Sequence, residues 1–309
     1  YSLIGVYMLR KRALRRILVT TMSLFIIMTI YLIPEMEKTL NTNMEFDYVS
    51  NLSNSSIYLL DENDLLVKTK VFLDENKTSD KVLAIVDSLT LKKDNIFPDK
   101  LRGVINSDVK VNKVSLDNDT VIVDFNKKIL NINKNSLEKV VEALVYSITE
   151  LNDVNNVKIT VDSCDIDGYS GLLNRSMGIN KEYDYTSFKD LTCVVIYYNE
   201  IIDNDIYYVP VTKYINTDKD KVDIIVEELT TSYIYQDNLG SILDEELKLT
   251  NKEFIDDLLI LDFNLDLSKA KEEVLYTLSY SLFDNYDINT ISFKCQGKEY
   301  KNITKRGLV

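Results

Sequence analysis

Apolar and polar positions along this chain follow a pattern that is written twice. Short apolar runs at Ile57–Leu60 and Leu65–Leu73, split by the polar Asp61-Glu62-Asn63-Asp64, predict two strands and a turn. Val82, Ile85, Val86 and Leu89 then fall at the i, i+3, i+4, i+7 spacing of one helix face. Ser79 or Asp80 is placed to cap that helix. After an irregular stretch holding Pro98, Val109–Leu116 and Thr120–Phe125 predict a hairpin turned at Asp117-Asn118-Asp119. Val140, Val141, Leu144, Val145, Ile148 and Leu151 share one face of a second helix over about Ser136–Leu151, and a strand at Val157–Val161 closes the module.

The same order then returns. Thr192–Tyr198 and Ile206–Tyr214 open it, and Val222, Ile225, Val226 and Leu229 repeat the first helical stripe 140 positions on. Glu246–Thr250 and Leu258–Phe263 follow, then a helix over about Lys269–Leu282 carrying Val274, Leu275, Leu278 and Leu282, then a strand at Thr290–Cys295. Val123-Asp124-Phe125-Asn126 recurs 138 positions later as Leu261-Asp262-Phe263-Asn264. Such a period is too long for a solenoid and implies two domains. The expected fold is α+β: two tandem copies of a small ββαββαβ module, each a sheet with two helices on one face. The expected bounds are 55–164 and 191–305, joined by a linker over 165–190.

Residues 17–33 contain no charge and follow a block of five basic residues, Arg10, Lys11, Arg12, Arg15 and Arg16. The run suits a short membrane-spanning helix over 17–34, closed by Pro34 and Glu35. Basic residues stay on the cytoplasmic side, so 1–16 are expected inside and 35–309 outside. No small-residue cleavage site or lipid-accepting cysteine follows, so the segment reads as an uncleaved anchor, and the polar 35–54 as a stalk. Met8, directly before the basic block, is a candidate start.

Charge and composition narrow the chemistry. Beyond the basic block the chain carries 31 basic and 49 acidic residues, the reverse of a nucleic-acid footprint. Histidine is absent, and with it His-dependent triads and HExxH zinc sites. No phosphate-binding glycine loop is present. Cys164, Cys193 and Cys295 lack CxxC spacing; they read as buried small residues, with a disulfide between two of them the alternative. Asp165-Ile166-Asp167-Gly168 starts like a calcium loop but lacks the later ligands. No cofactor, metal or catalytic residue is expected, and no acidic pair stands out as a glycan-cleaving site.

The Val-Asp-Phe-Asn and Leu-Asp-Phe-Asn strand ends resemble the GerMN domain of the GerM sporulation family. So do the proline-containing stretch before the first hairpin (Pro98), the glycines near the closing strands (Gly168, Gly297), and the stretch Leu173-Asn174-Arg175-Ser176-Met177-Gly178-Ile179-Asn180. The resemblance covers about 55–305, in tandem. Two features depart from it: Asn126 and Asn264 stand where the family has Ser, and an apolar anchor stands where known members carry a lipid-modified Cys. The resemblance implies a non-enzymatic role in sporulation, outside the cytoplasm between mother-cell and forespore membranes. There such proteins support a ring-forming channel complex. Implied partners are sporulation membrane or channel proteins and the chain itself; a cell-wall glycan is the alternative ligand.

Two sets of residues are candidate sites. Asp124, Asn126, Asp262 and Asn264 are repeat-equivalent; they can form contact sites or order the hairpin exits. Tyr197, Tyr198, Tyr207 and Tyr208 lie in adjacent pairs on strands, so one ring of each pair is expected to face away from the core and form an interaction surface. Tyr233–Tyr235 form a third cluster.

Overall fold

The structure is a computed structural model of the 309-residue chain. It describes residues 14–16, 18–25, 28, 53–92, 97–183, 191–231, 239–241, 243–267 and 272–308. The chain divides into two units, Tyr1–Ser50 and Asn51–Val309. In the first, residues 14–16 and 18–25 are helical and exposed. Among the described residues no helix is long and apolar enough to cross a membrane. Most of the basic block, parts of the expected anchor and nearly all of the expected stalk lie outside the described residues, as does Tyr233–Tyr235.

The second unit holds both modules. The first contributes β1 (Ser53–Leu60), β2 (Leu66–Leu73), α1 (Thr78–Ser88), β3 (Val111–Asp117), β4 (Thr120–Phe125), α2 (Lys134–Ile148), β5 (Asn156–Val161) and β6 (Cys164–Asp165). After a short strand β7 (Glu182–Tyr183), the second contributes β8 (Leu191–Ile202), β9 (Asp205–Asn216), α3 (Lys221–Thr230), β10 (Leu249–Ile255), β11 (Leu258–Phe263), α4 (Glu272–Asn285), β12 (Thr290–Cys295) and β13 (Lys298–Thr304). Each module thus carries one strand more than the expected ββαββαβ. The cap also differs: Lys77 precedes α1 and makes no side-chain cap bond, while the Ser79 hydroxyl turns to Asp80.

Each module builds its own four-stranded sheet, β3-β4-β5-β6 and β10-β11-β12-β13, with one parallel pair at its centre. Central strands β4 and β11 alternate buried with half-buried positions, and Val121, Val123 and Phe125 sink into the core as Leu259, Leu261 and Phe263 do. The opening hairpins do not join these sheets. They meet each other instead, in one sheet of order β1-β2-β9 with β8 and β7 also paired to β9. Two separate one-sheet modules were expected; the observed unit is fused across a shared sheet.

The outer strands β1 and β8 are covered rather than left open, which removes two sites of edge-to-edge pairing. Helix α4 carries Thr277, Ser281 and Asn285, one turn apart, along β8. The Ser281 hydroxyl accepts from Tyr197 N–H (2.9 Å), and the Asn285 amide exchanges two bonds with Val195 (3.1 and 2.6 Å). Thr277 exchanges bonds with the Asn199 side chain. Along β1 the Ser147 hydroxyl of α2 accepts from Tyr58 N–H at 3.0 Å. These polar groups sit on otherwise apolar helix faces because strand N–H groups need partners there.

Candidate functional site

The repeated Asp and Asn residues lie at the exits of β4 and β11, in the two separate four-stranded sheets. Asp124 accepts hydrogen bonds from the Thr160 hydroxyl (2.7 Å), Ser163 N–H (2.7 Å) and the Asn112 amide (3.1 Å). Burial alone would raise this carboxyl, but Thr160 and Ser163 pull it below the usual carboxylate range. Ser163 sits with Asp162 in a two-residue turn, both at positive φ, and joins β5 to β6. In the second module Asp262 accepts from Gly297 N–H at 3.0 Å, in the matching turn Gln296-Gly297. Asn126 accepts from Lys128 N–H (3.3 Å) and donates to Asp108 C=O (3.2 Å). Asn264 accepts from Lys248 N–H (2.7 Å) and donates to Glu246 C=O (3.0 Å). All four side chains are thus engaged in ordering local backbone.

The tyrosine pairs depart from expectation. Tyr197 and Tyr198 are both buried, so neither ring of that pair is exposed. The reason is that β8 is covered on both faces: Tyr197 donates to Asp284 beyond α4's buried face, and Tyr198 donates to Glu228 of α3. Tyr207 and Tyr208 are half-buried, with the Tyr208 ring packed 5.0 Å from Tyr280. The cysteines form no disulfide. Cys193 and Cys295 are half-buried and Cys164 is exposed, against the expectation of a buried residue, because β6 lies at a sheet edge. Among the described residues no group of three or more Cys, Asp or Glu converges to hold a metal.

The polar centre of the molecule is the junction between modules. Tyr58 of β1 and Tyr197 of β8 are repeat-equivalent, and their hydroxyl oxygens lie 3.1 Å apart. Tyr58 donates to Glu150, just past α2 (2.9 Å), and Tyr197 to Asp284, at the matching place on α4 (2.7 Å). Arg175, from the linker, joins the two acids: its guanidinium bonds Asp284 at 2.5 Å and also Glu150. Lys68 of β2 pairs with Glu150 at 2.6 Å and lies 4.7 Å from the centre of the Tyr280 ring. Two cations and two anions therefore balance inside the protein.

Electrostatics hold this arrangement in one protonation state. Burial would raise the Glu150 carboxyl, but Lys68 and Arg175 overcome it and hold it at about 2. Burial, aided by Glu150 for Tyr58 and by Asp284 for Tyr197, drives both phenols well above their ordinary range, so they remain donors. Burial lowers the Lys68 ammonium against the pull of Glu150. A network of this kind is a weak source of net stability because desolvation offsets attraction, but only one placement of the modules completes it.

Asn180 makes the second joint. Its amide stands in for a missing stretch of strand: the oxygen accepts from Leu66 N–H (2.9 Å) and Lys139 (2.8 Å), and the nitrogen donates to Leu66 C=O (2.9 Å) and Pro210 C=O (2.8 Å). Asn180 itself holds a left-handed φ of 45°. Glu142, buried on α2, accepts from its N–H and faces Lys139 and Lys181. A cleft of about 520 Å³ is lined by Arg175 together with Lys305 and Arg306. Sequence reading had marked Arg175 and Asn180 only through family resemblance. It missed Lys68, Glu150 and Asp284; the one signal for the two acids was their recurrence two residues past equivalent apolar positions, Ile148 and Leu282.

Two α+β modules in tandem, fused through paired opening hairpins, define a class. Residues 56–166 match the Germane family, described as sporulation and spore germination. Over 272 residues the chain is 27% identical to the spore germination protein GerM of Bacillus subtilis (strain 168), spanning 82% of this chain and 74% of that protein. The solved tandem GerMN domains of the sporulation protein GerM from Bacillus subtilis share the fold. They align with a TM-score of 0.73 at 24% identity, over 82% of this chain and 96% of that one. The first module thus matches the Germane family, most of the chain is similar in sequence to GerM, and the fused pair has the fold of tandem GerMN domains.

Proposed function

We propose that this chain is a non-enzymatic, membrane-anchored scaffold in a sporulation assembly, displaying its fused modules outside the cytoplasm to other membrane or channel proteins. The observation that carries this reading is the junction. Charged and tyrosine side chains that could perform chemistry are instead paired with one another, and they fix two modules as one body. The absence of histidine from the whole sequence also favours binding over catalysis. The uncharged run 17–33 behind a basic block supports the anchor, with residues 35–309 on the outer side.

The test is to extract the full chain in detergent from sporulating cells and pass it over a sizing column with light scattering and mass identification. Specific co-elution with a sporulation membrane protein, or a defined oligomer, is expected. A strict monomer that ignores membrane proteins and is retained on purified cell wall would replace this reading with glycan binding.

A further inference from the structure

Strands β2 and β9 are neighbours in the shared sheet, yet they pair only at Lys68–Tyr208. To one side of that pair Asn180 stitches Leu66 to Pro210. To the other side the strands part. A groove of about 810 Å³ runs there between Lys70–Phe72 of β2 and Asp205–Tyr207 of β9, with Tyr276 of α4 as a wall. Strand β1 takes the far edge of β2, and β8 the far edge of β9, so the edges facing the groove have no strand partner among the described residues. Ser56 lines the groove; it is fully buried and its hydroxyl has no hydrogen-bond partner. Phe72 projects at the mouth with 69% of its surface exposed, a large apolar group on an acidic protein. Asp205 and Glu273 stand on the rim, each the main cause after burial that raises a neighbouring phenol, Tyr207 and Tyr208; Lys70 also lines the groove, while Lys68 is paired with Glu150.

We propose that this groove docks an extended peptide segment of a partner protein, one with apolar side chains at alternate positions and basic residues at its ends. Parted strand edges offer main-chain donors and acceptors that another backbone satisfies best, and an added strand places every second side chain toward one face. Those side chains pack against Phe72 and Ile206, which strand alternation places on the face shared by Lys68 and Tyr208. Asp205 and Glu273 favour cationic ends and disfavour acidic ones. The inference rests on the scaffold reading and gives its binding a surface and a partner chemistry.

The test uses the 309-residue chain and a synthetic peptide alternating valine and threonine with lysines at both ends, followed by fluorescence anisotropy. Two variants at exposed positions, Phe72→Ser and Asp205→Lys, are first checked for native circular dichroism. Saturable binding is expected, weakened about tenfold by F72S, weakened severalfold by D205K, and lost when alternate peptide amides are N-methylated. Absence of saturable binding, or binding that neither variant nor N-methylation alters, overturns the proposal. A dimer that F72S disperses would assign the groove to a second copy and overturn the partner peptide. Undiminished co-elution of a membrane protein with the F72S chain would overturn the groove while leaving the scaffold reading intact.

Discussion

The hydroxyls of Tyr58 and Tyr197 lie 3.1 Å apart although 139 residues separate them in the chain. Each occupies the same place in its module, and each donates to the acid just past or near the end of its module's second helix. The repeat thus meets itself at this point. Two hydroxyl hydrogens serve three oxygen contacts, and Lys68 donates a further, longer bond to the Tyr58 oxygen at 3.4 Å. Y58F and Y197F should each cost about 1 kcal/mol or somewhat more in urea unfolding. The double variant should cost less than the sum, because each single change already breaks the shared contact. Additive losses would show that the two phenols act independently.

Among the described residues, Arg175 is the one side chain paired with both acids. R175M removes its charge while keeping much of its stem, and leaves Asp284 without its cation. Because a quarter of the Arg175 side chain stays exposed, the cost should fall near the low end for a broken buried pair, about 3 kcal/mol. Equilibrium unfolding measures it; a loss below about 1 kcal/mol would mean that water replaces the guanidinium freely.

Two carboxyls should give opposite pH dependences. Glu150 is held at about 2, below its ordinary 4.5, so its contribution is present above about pH 4.5 and lost as pH falls toward 2. Glu200 is pushed up to about 7, first by burial and then by Asp61, so the folded state favours its protonated form. Its contribution is full below about pH 4.5 and is lost as pH rises through 7. Stability should therefore climb from pH 2 to about 4.5 and decline toward 7. E150Q should flatten the first limb, and E200Q the second. A chain whose upper limb is unchanged by E200Q would refute the assignment.

Asn180 carries the joint between β2 and β9. N180A removes its bonds to Leu66 and Pro210 and leaves those buried main-chain groups unpaired, at a cost of about 2–3 kcal/mol. Amide exchange at Leu66 and near Pro210 should accelerate well before exchange in β4 or β11, which lie in the separate sheets. Uniform acceleration throughout would indicate that Asn180 is merely a core residue.

Much of the fold was legible in the chain because the repeat doubled every signal. Thr120–Phe125, Leu258–Phe263 and Thr290–Cys295 are strands with the bounds their patterns imply. Helix stripes such as Val222, Ile225, Val226 and Leu229 are buried as their spacing requires. Strands β8 and β9 run longer than expected, to Ile202 and Asn216, because polar residues such as Asn199 and Glu200 are tolerated inside a covered hairpin. The β10 strand lies later than expected, at Leu249–Ile255, since an exposed edge needs little apolar patterning. The junction was the least legible part. Its residues come from β1, β2, β8, the linker and two helix ends, and no local period links Lys68 to Glu150 or Arg175 to Asp284. Tyr197 and Tyr198 misled for the same reason: strand alternation tells which side a ring faces, but not that both sides are covered.

The central claim is that the two modules are one body, joined by a shared sheet and a closed ionic network. Differential scanning calorimetry of the full chain tests it most directly. The account requires one transition over Asn51–Val309 whose calorimetric and van't Hoff enthalpies agree, and R175M should lower its midpoint without dividing it. Two resolved transitions in the unaltered chain, one per module, would contradict it.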